Sequence, residues 1–166
     1  MTVSIAELAD KVPPSCHARN CKRDRCSVRL DGVCPERLII DMDCEALGLN
    51  NKTRCDYLLV IKSHETTWVV PIEMKGGRVD RIDHVAHQIK EGTRLADSLL
   101  PPGLTCQFAP VLAHGKSIHR HNIKRLRRVK IELRGSRKMI GTIKSHCQAG
   151  DDDGRIPAPK QRSPSG

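Results

Sequence analysis

Short and nearly continuous apolar runs punctuate the middle of the chain. Runs of this kind predict strands that are covered on both faces, because a sheet with one face in water shows strict alternation. Residues 63–66 form the predicted loop of a hairpin between the second and third strands. Pro71, inside the third strand, favours a sheet edge or a bulge, since proline has no N–H to donate. The predicted strands cover residues 37–43, 56–62, 67–75, 107–113, 129–133 and 139–143.

One amphipathic stretch separates the third and fourth predicted strands. Apolar side chains recur there every three or four residues, which predicts a helix. Asp80 is the predicted N-cap, and the helix is expected to end at about Leu100, before Pro101. Strands, a long helix and further strands together predict an α/β fold, with a mixed β-sheet flanked by helices.

Composition divides the chain into a core and two flanking segments. Residues 1–35 are rich in cysteine and arginine and poor in apolar residues, so this segment is a candidate metal-binding segment. Residues 36–148 hold most of the apolar residues and end in a basic portion. Residues 149–166 are rich in Asp, Pro, Ser and Gly, which predicts a disordered tail.

The charge of the chain favours a polyanionic partner. The 166 residues include 29 Lys and Arg against 19 Asp and Glu, a formal net charge of +10. A surplus of this size points to a nucleic-acid backbone, although a solvated surface is the simpler reading of any basic run. Only three aromatic residues are present, which argues against recognition by stacked bases. The predicted phosphate contacts are Arg120, Lys124, Arg125, Arg127, Arg128 and Lys130.

No apolar run approaches the roughly 18 residues that span a bilayer, and the first ten residues are acidic and amphipathic, unlike a secretory signal. We therefore expect a cytoplasmic protein without a membrane partner, in a reducing compartment. Eight cysteines then suggest metal ligands or buried thiols rather than disulfides.

Four of the cysteines lie in the polar segment near the amino terminus, which cannot pack by itself. A zinc ion bound by these thiolates would fold the segment. An iron–sulfur cluster and reduced thiols in a loop remain alternatives. The other four, at positions 44, 55, 106 and 147, are expected to be small core residues or isolated thiols. The candidate zinc ligands are Cys16, Cys21, Cys26 and Cys34.

Two carboxylates and a lysine meet at one end of the predicted hairpin. With the loop at residues 63–66, the numbers of paired residues sum to 129, and Asp56 lies opposite Glu73. Lys75, two residues further, projects from the same face. Two carboxylates this close repel unless a cation lies between them, and hard oxygen ligands suit Mg²⁺ or Mn²⁺. The alternative is a surface ion pair between Asp56 and Lys75.

This pattern resembles the PD-(D/E)XK nuclease superfamily, whose core is a mixed sheet between helices. The resemblance covers about residues 36–115, and Cys55 stands where the family name has proline. It implies that Asp56, Glu73 and the Met74 main-chain carbonyl bind a divalent metal. It also implies that Lys75 positions the attacking water and that Gln88, on the following helix, supports the site.

Two departures from the family pattern concern the supporting residues. Gly92 stands where some members carry a tyrosine after the helix glutamine. The acidic residue usual on the first helix is not identifiable in this chain. The candidates for a supplementary acid are Glu36, Asp41 and Asp43.

The sequence thus predicts a Mg²⁺- or Mn²⁺-dependent nuclease that hydrolyses phosphodiester bonds, with DNA as the expected substrate. Cleavage of both strands needs two active centres, which makes a homodimer or a partner subunit an expectation. The alternative is a non-catalytic nucleic-acid-binding or scaffolding subunit with a structural zinc site.

Overall fold

The structure, a computed structural model, describes residues 3–147. Within them the chain forms a mixed α/β fold with three α-helices, a seven-stranded mixed sheet and two smaller sheets. The α/β fold class predicted from the sequence is confirmed. The predicted disordered tail, residues 149–166, lies outside the described residues. None of the helices in residues 3–147 is long and apolar enough to cross a membrane.

The helices and strands of the described chain are numbered in chain order. The α-helices are α1 (Ile5–Ala9), α2 (Ile82–Leu99) and α3 (Arg120–Arg128). The strands of the main sheet are β1 (His17–Ala18), β4 (Arg37–Asp41), β5 (Tyr57–Ser63), β6 (Thr66–Lys75), β7 (Cys106–Phe108), β8 (Val111–His114) and β11 (Gly141–Lys144). The strands of the two small sheets are β2 (Cys21–Arg23), β3 (Cys26–Val28), β9 (Lys130–Leu133), β10 (Ser136–Met139) and β12 (His146–Cys147).

An antiparallel meander of β4, β5 and β6 forms the centre of the main sheet. Lys62 pairs with Thr67 and Tyr57 with Ile72, so paired residues sum to 129 as predicted. The turn itself is two residues long, and His64 adopts a positive φ of 52° there. The predicted hairpin and its register are confirmed.

On its other side β6 pairs in parallel with two short strands. The single predicted strand over residues 107–113 is interrupted at Ala109 and Pro110, which separates β7 from β8. On this side β7 pairs with β6 up to Val69, and β8 begins pairing at Ile72. Pro71 thus lies in the gap between the two partner strands, where a missing N–H costs little, although β6 is a central strand.

The two faces of the main sheet are covered differently. All three helices contribute to one apolar cluster, in which Leu8 of α1, Ile89 of α2 and Leu126 of α3 pack with Leu58 of β5. The opposite face is covered by the β2–β3 hairpin rather than by a helix.

Helix α2 begins after Arg81 without a side-chain cap, so the predicted N-cap at Asp80 is wrong.

The amino-terminal residues form part of the core and are not a separate unit. Strand β1 pairs with β4, and Val12 is buried in the helix-side cluster. Two disulfides hold the segment, one joining Cys16 to Cys44 and one joining Cys26 to Cys147.

The structure therefore does not bring the four predicted zinc ligands together. Cys16 and Cys26 are bonded to cysteines that the sequence predicted as isolated residues, and a disulfide sulfur is not a thiolate ligand. Cys21 is a buried free thiol and Cys34 a half-buried one. Burial raises the pKa of Cys21 to about 12, which keeps this thiol protonated at neutral pH.

The basic carboxyl-terminal portion contains more structure than its composition indicated. Helix α3, which the sequence did not predict, begins at Arg120 with the side chain of His119 accepting a hydrogen bond from the His121 N–H. The predicted late hairpin forms, but its second arm is β10 rather than residues 139–143. Most of those residues belong instead to β11, which pairs in parallel with β8.

Candidate active site

Asp56, Glu73 and Lys75 lie on the helix-covered face at one end of the central meander. Asp56 immediately precedes β5, one residue beyond the last pair of the β5–β6 ladder, and therefore lies opposite Glu73. Because strand residues alternate between faces, both share the face of Leu58 and Val69, which pack in the cluster beneath α2. The Lys75 ammonium lies 2.6 Å from Glu73 Oε1. The convergence predicted from the register is observed.

Glu73 has a buried carboxylate, and one of its two oxygens has no hydrogen-bond partner in the described chain. The residue is 1% exposed, and Oε2 is a buried atom with no hydrogen-bond partner among the described residues. Burial and then the negative charge of Asp56 raise the pKa of Glu73 to about 7, against the opposing bond from Lys75. A buried carboxylate of this kind is destabilising unless a cation or a proton neutralises it.

Asp56 is held by the backbone of the neighbouring strand. Its Oδ2 accepts a hydrogen bond of 2.7 Å from the Met74 N–H, which fixes the orientation of the carboxylate. Burial raises the pKa of Asp56 above its ordinary value, while the Met74 N–H and the Arg23 guanidinium act in the opposite direction. Asp56 and Glu73 thus form a pair of partly desolvated carboxylates at one sheet end.

Gln88 lies on α2, one turn before Gly92, where the helix packs against Cys55. A Cβ on Gly92 would lie 2.3 Å from Cys55 Sγ and 2.8 Å from the Cys55 nitrogen, so only glycine fits. This contact places the face of α2 that carries Gln88 beside the segment leading into Asp56. The Gln88 Oε1 is buried and has no hydrogen-bond partner within residues 3–147. The glycine where some family members carry a tyrosine is thus the packing contact of α2.

An arginine from the amino-terminal hairpin completes the site, and sequence reasoning missed it. The Arg23 guanidinium donates to Asp41 Oδ1 at 2.6 Å and to Asp43 Oδ2 at 3.2 Å. Its Nε lies 3.5 Å from Asp56 Oδ1. It also donates to the Tyr57 hydroxyl at 2.7 Å, with Cζ 4.5 Å from the ring centroid.

The supplementary acids fall in two places. Asp41 pairs with Tyr57 in the ladder and is adjacent to the site, as is Asp43 through Arg23. Glu36 precedes the other end of β4, where its carbonyl accepts from the Lys62 N–H. Asp41 and Asp43 are therefore the two of the three candidates that join the acid cluster of Asp41, Asp43, Asp56 and Glu73.

The donor set at Asp56 and Glu73 fits a hard divalent cation. Glu73 Oε2 offers an unpartnered oxygen, and Asp56 offers a carboxylate that the backbone orients. Magnesium is commonly bound by one or two carboxylates and keeps several waters. The Met74 main-chain carbonyl remains a predicted further ligand.

The basic helix α3 lies at the same end of the sheet as these side chains. Strands β6 and β8 run in parallel, and the Gly115 N–H after β8 donates to the Lys75 carbonyl. Helix α3 follows and is tied to the start of α2, where Asn122 donates to the Val79 carbonyl and Arg125 pairs with Asp83 at 2.7 Å.

The predicted phosphate contacts differ in availability. Arg125 is engaged in its ion pair with Asp83. The other predicted contacts are exposed: Arg120, Lys124, Arg127, Arg128 and Lys130. The tyrosine and phenylalanine are buried, so neither offers a ring to a base. Exposed cations thus lie along α3, the helix whose contacts reach the start of α2.

No protein-family model matches this chain, and neither a curated protein nor a solved structure is significantly similar to it.

Proposed function

We propose that the chain is a divalent-metal-dependent nuclease that hydrolyses phosphodiester bonds, with DNA as the expected substrate. The observation that carries the proposal is the buried Glu73 Oε2, unpartnered in the described chain and set beside Asp56 and Lys75. A hard cation would stabilise such an oxygen. A cation bound there would lie at the same end of the sheet as α3. The resemblance to the PD-(D/E)XK superfamily supports the same assignment.

Each side chain has a distinct part in the proposed reaction. Asp56, Glu73 and the Met74 carbonyl would hold Mg²⁺ or Mn²⁺, which supplies Lewis-acid chemistry next to a phosphate when bound. Lys75 orients the attacking water and stabilises negative charge that develops on the phosphate. Gln88 supports the site from α2.

The exposed residues of α3 serve to bind the nucleic-acid backbone. Arginine and lysine side chains bind phosphates without reading base sequence, and the affinity falls steeply as salt rises. Because α3 lies beside the ends of β6 and β8, a backbone bound there passes close to Lys75. A homodimer or partner subunit for two-strand cleavage remains a prediction. A cytoplasmic location also remains a prediction, but the two disulfides do not fit the reducing compartment that the sequence led us to expect.

The test is cleavage of supercoiled, linear and single-stranded DNA in Mg²⁺ by purified full-length protein. Glu73→Ala and Lys75→Ala are expected to lose at least about a hundredfold in rate, because each removes a group at the reacting centre. Glu65→Ala removes an exposed glutamate from the hairpin turn and is expected to cleave as the wild type does. Unchanged cleavage by both site variants excludes this site.

A specific observation favours a second candidate, a non-catalytic nucleic-acid-binding or scaffolding subunit. Lys75 and Arg23 pair with the carboxylates, so protein cations neutralise much of the cluster without a metal. Salt-sensitive binding without turnover in Mg²⁺ or Mn²⁺ supports this candidate. The structural zinc site that the sequence predicted for this candidate is not proposed again, because Cys16 and Cys26 are bonded in disulfides.

A further inference from the structure

Arg23 is the point at which the amino-terminal hairpin enters the acid cluster. Its Nη2 binds both Asp41 and Asp43, its Nε faces Asp56, and its Nη1 binds the Tyr57 hydroxyl. The guanidinium thus lies among three carboxylates that come from β4, the loop after it, and the residue before β5. Its donors are directed at protein atoms rather than at solvent.

The two sides of Asp56 are therefore different. Oδ1 faces the Arg23 guanidinium, while across the ladder on the helix side lies Glu73, whose Oε2 is unpartnered among residues 3–147. On one side, Asp56 faces the Arg23 guanidinium. On the other side, Lys75 pairs with Glu73 Oε1, and Oε2 of the same carboxylate is the atom left without a partner in the described chain.

We propose that Arg23 takes the place of a second metal ion, so that the site binds one divalent ion at Asp56 and Glu73 and not a pair. This rests on the proposed metal site. Two-metal nuclease sites hold their ions about 3.5–4 Å apart, commonly on a shared carboxylate, so a second ion on the Oδ1 side of Asp56 would lie where the Arg23 guanidinium is. The other carboxylates on that side, Asp41 and Asp43, are bound to the same guanidinium, whose planar fork suits carboxylates.

The donor sets agree with a single ion. A site with two carboxylates, a carbonyl and waters is sufficient for one Mg²⁺. A pair of ions would need the carboxylates that surround Arg23.

The hairpin holds Arg23 firmly in this position. Cys21, two residues before it, is fully buried, and the Tyr57 hydroxyl donates to the Lys22 carbonyl at 2.7 Å. Cys26 is bonded to Cys147, and both sulfurs lie close to Gly115, just after β8. The backbone that carries Arg23 is therefore anchored on both sides of this residue, and the guanidinium is held in addition by its own bonds to Asp41 and the Tyr57 hydroxyl.

Titration of full-length, metal-free protein with Mn²⁺, followed by calorimetry, tests the inference without relying on cleavage. The wild type is expected to bind one Mn²⁺ per chain. Arg23→Gln removes a positive charge beside Asp56 and is expected to bind Mn²⁺ about tenfold more tightly or to accept a second ion. Arg23→Lys keeps the charge and is expected within about threefold of the wild-type affinity. Arg54→Gln is the matched control, because Arg54 pairs with Asp43 but not with Asp56.

Two results overturn the inference while leaving the proposed function intact. One is a wild type that binds two ions; the other is Arg23→Gln binding one ion with unchanged or weaker affinity. Absence of Mn²⁺ binding to the wild type overturns the proposed metal site itself, and the inference with it.

A second variant keeps the test decisive if Arg23→Gln fails to fold, which circular dichroism reveals. Asp41 binds Arg23 and is not expected to be a metal ligand. Asp41→Asn is therefore expected to bind Mn²⁺ within about threefold of the wild-type affinity. A loss of tenfold or more makes Asp41 a ligand and overturns the inference.

Discussion

The central part of the chain, residues 37–114, and the segments on either side of it are held together in different ways. In the centre, neighbouring strands pair in register and bury continuous apolar surface against α2. The amino-terminal hairpin is attached through Arg23 and the Cys26–Cys147 disulfide, which also ties in β12. The local pattern of apolar residues sets the strands of the central region. The flanking segments are held in place by contacts between residues that are far apart in sequence.

The candidate site is built from both regions, and this is what the comparison teaches. The centre supplies Asp56, Glu73 and Lys75, and a flanking segment supplies Arg23. Changes in the flanking segments should therefore act through cross-links and charge, while changes in the centre should act through packing and through the buried Glu73 carboxylate. The predictions below test this division, from the largest expected effect to the smallest.

Removal of the Cys26–Cys147 disulfide is expected to have the largest effect on stability. The bond joins residues 121 positions apart, whereas Cys16–Cys44 spans 28. In the chain-entropy account, the longer loop contributes about 5 kcal/mol and the shorter one about 3.5 kcal/mol. Urea unfolding of the two double Cys→Ser variants in non-reducing buffer measures both contributions.

The matched control for the disulfides is chemical. In dithiothreitol the wild type is expected to have the same free energy of unfolding as both variants, since its own disulfides are then reduced. Equal stabilities of wild type and variants without reductant would mean that polar and apolar contacts alone hold the flanking segments.

Glu73→Gln is expected to change how stability depends on pH. The pKa of Glu73 is about 7 in the fold against an ordinary value of 4.5, because of burial and then the charge of Asp56. Between these values the folded chain keeps a proton that the unfolded chain releases, so stability falls as pH rises through this window. Metal-free wild type is expected to lose about 3 kcal/mol relative to Glu73→Gln between pH 4.5 and 8.

Unfolding in EDTA across this pH range measures the difference. Added Mg²⁺ is expected to restore stability at pH 8 to the wild type but not to Glu73→Gln, because only the carboxylate binds the ion. Parallel pH profiles of the two proteins would mean that folding leaves the pKa of Glu73 at its ordinary value.

Gly92→Ala is expected to destabilise the central region by about 2 kcal/mol. The new Cβ would lie 2.3 Å from Cys55 Sγ and 2.8 Å from the Cys55 nitrogen, and a backbone atom cannot be moved cheaply. The higher helix propensity of alanine offsets part of this cost. Gly77→Ala is the matched control, since nothing lies within 4 Å of its Cβ, and its change is expected within about 0.5 kcal/mol. A Gly92→Ala protein as stable as the control would mean that α2 does not pack this closely.

The centre of the fold was predictable because its signals are local. A two-residue turn and apolar runs of defined length set the register that pairs Lys62 with Thr67, and this register places Asp56 opposite Glu73. The break between β7 and β8 follows from Pro110, a signal that the sequence contains and that an apolar run obscured.

The contacts of the flanking segments were not predictable in the same way. Eight cysteines allow 105 complete pairings, and spacing does not select Cys26 with Cys147. Nothing periodic connects Arg23 to Asp41 and Asp56, so one basic residue among 29 gave no signal of its own. Helix α3 was not predicted, because it has too few apolar residues to show a helical periodicity among its many charged ones.

The smallest expected effect distinguishes solvated charge from phosphate contact on α3. Arg128 is exposed, whereas Arg125 forms an ion pair with Asp83. If Arg128 contacts a phosphate, Arg128→Gln weakens DNA binding about threefold and lowers the slope of log affinity against log salt by about 1. Arg94→Gln, in the later part of α2 and paired with Glu91, is the control expected to leave both unchanged. Equal behaviour of the two variants in salt-dependent anisotropy would assign α3 to a solvated surface, and the nucleic acid would then have to approach the sheet end by another route.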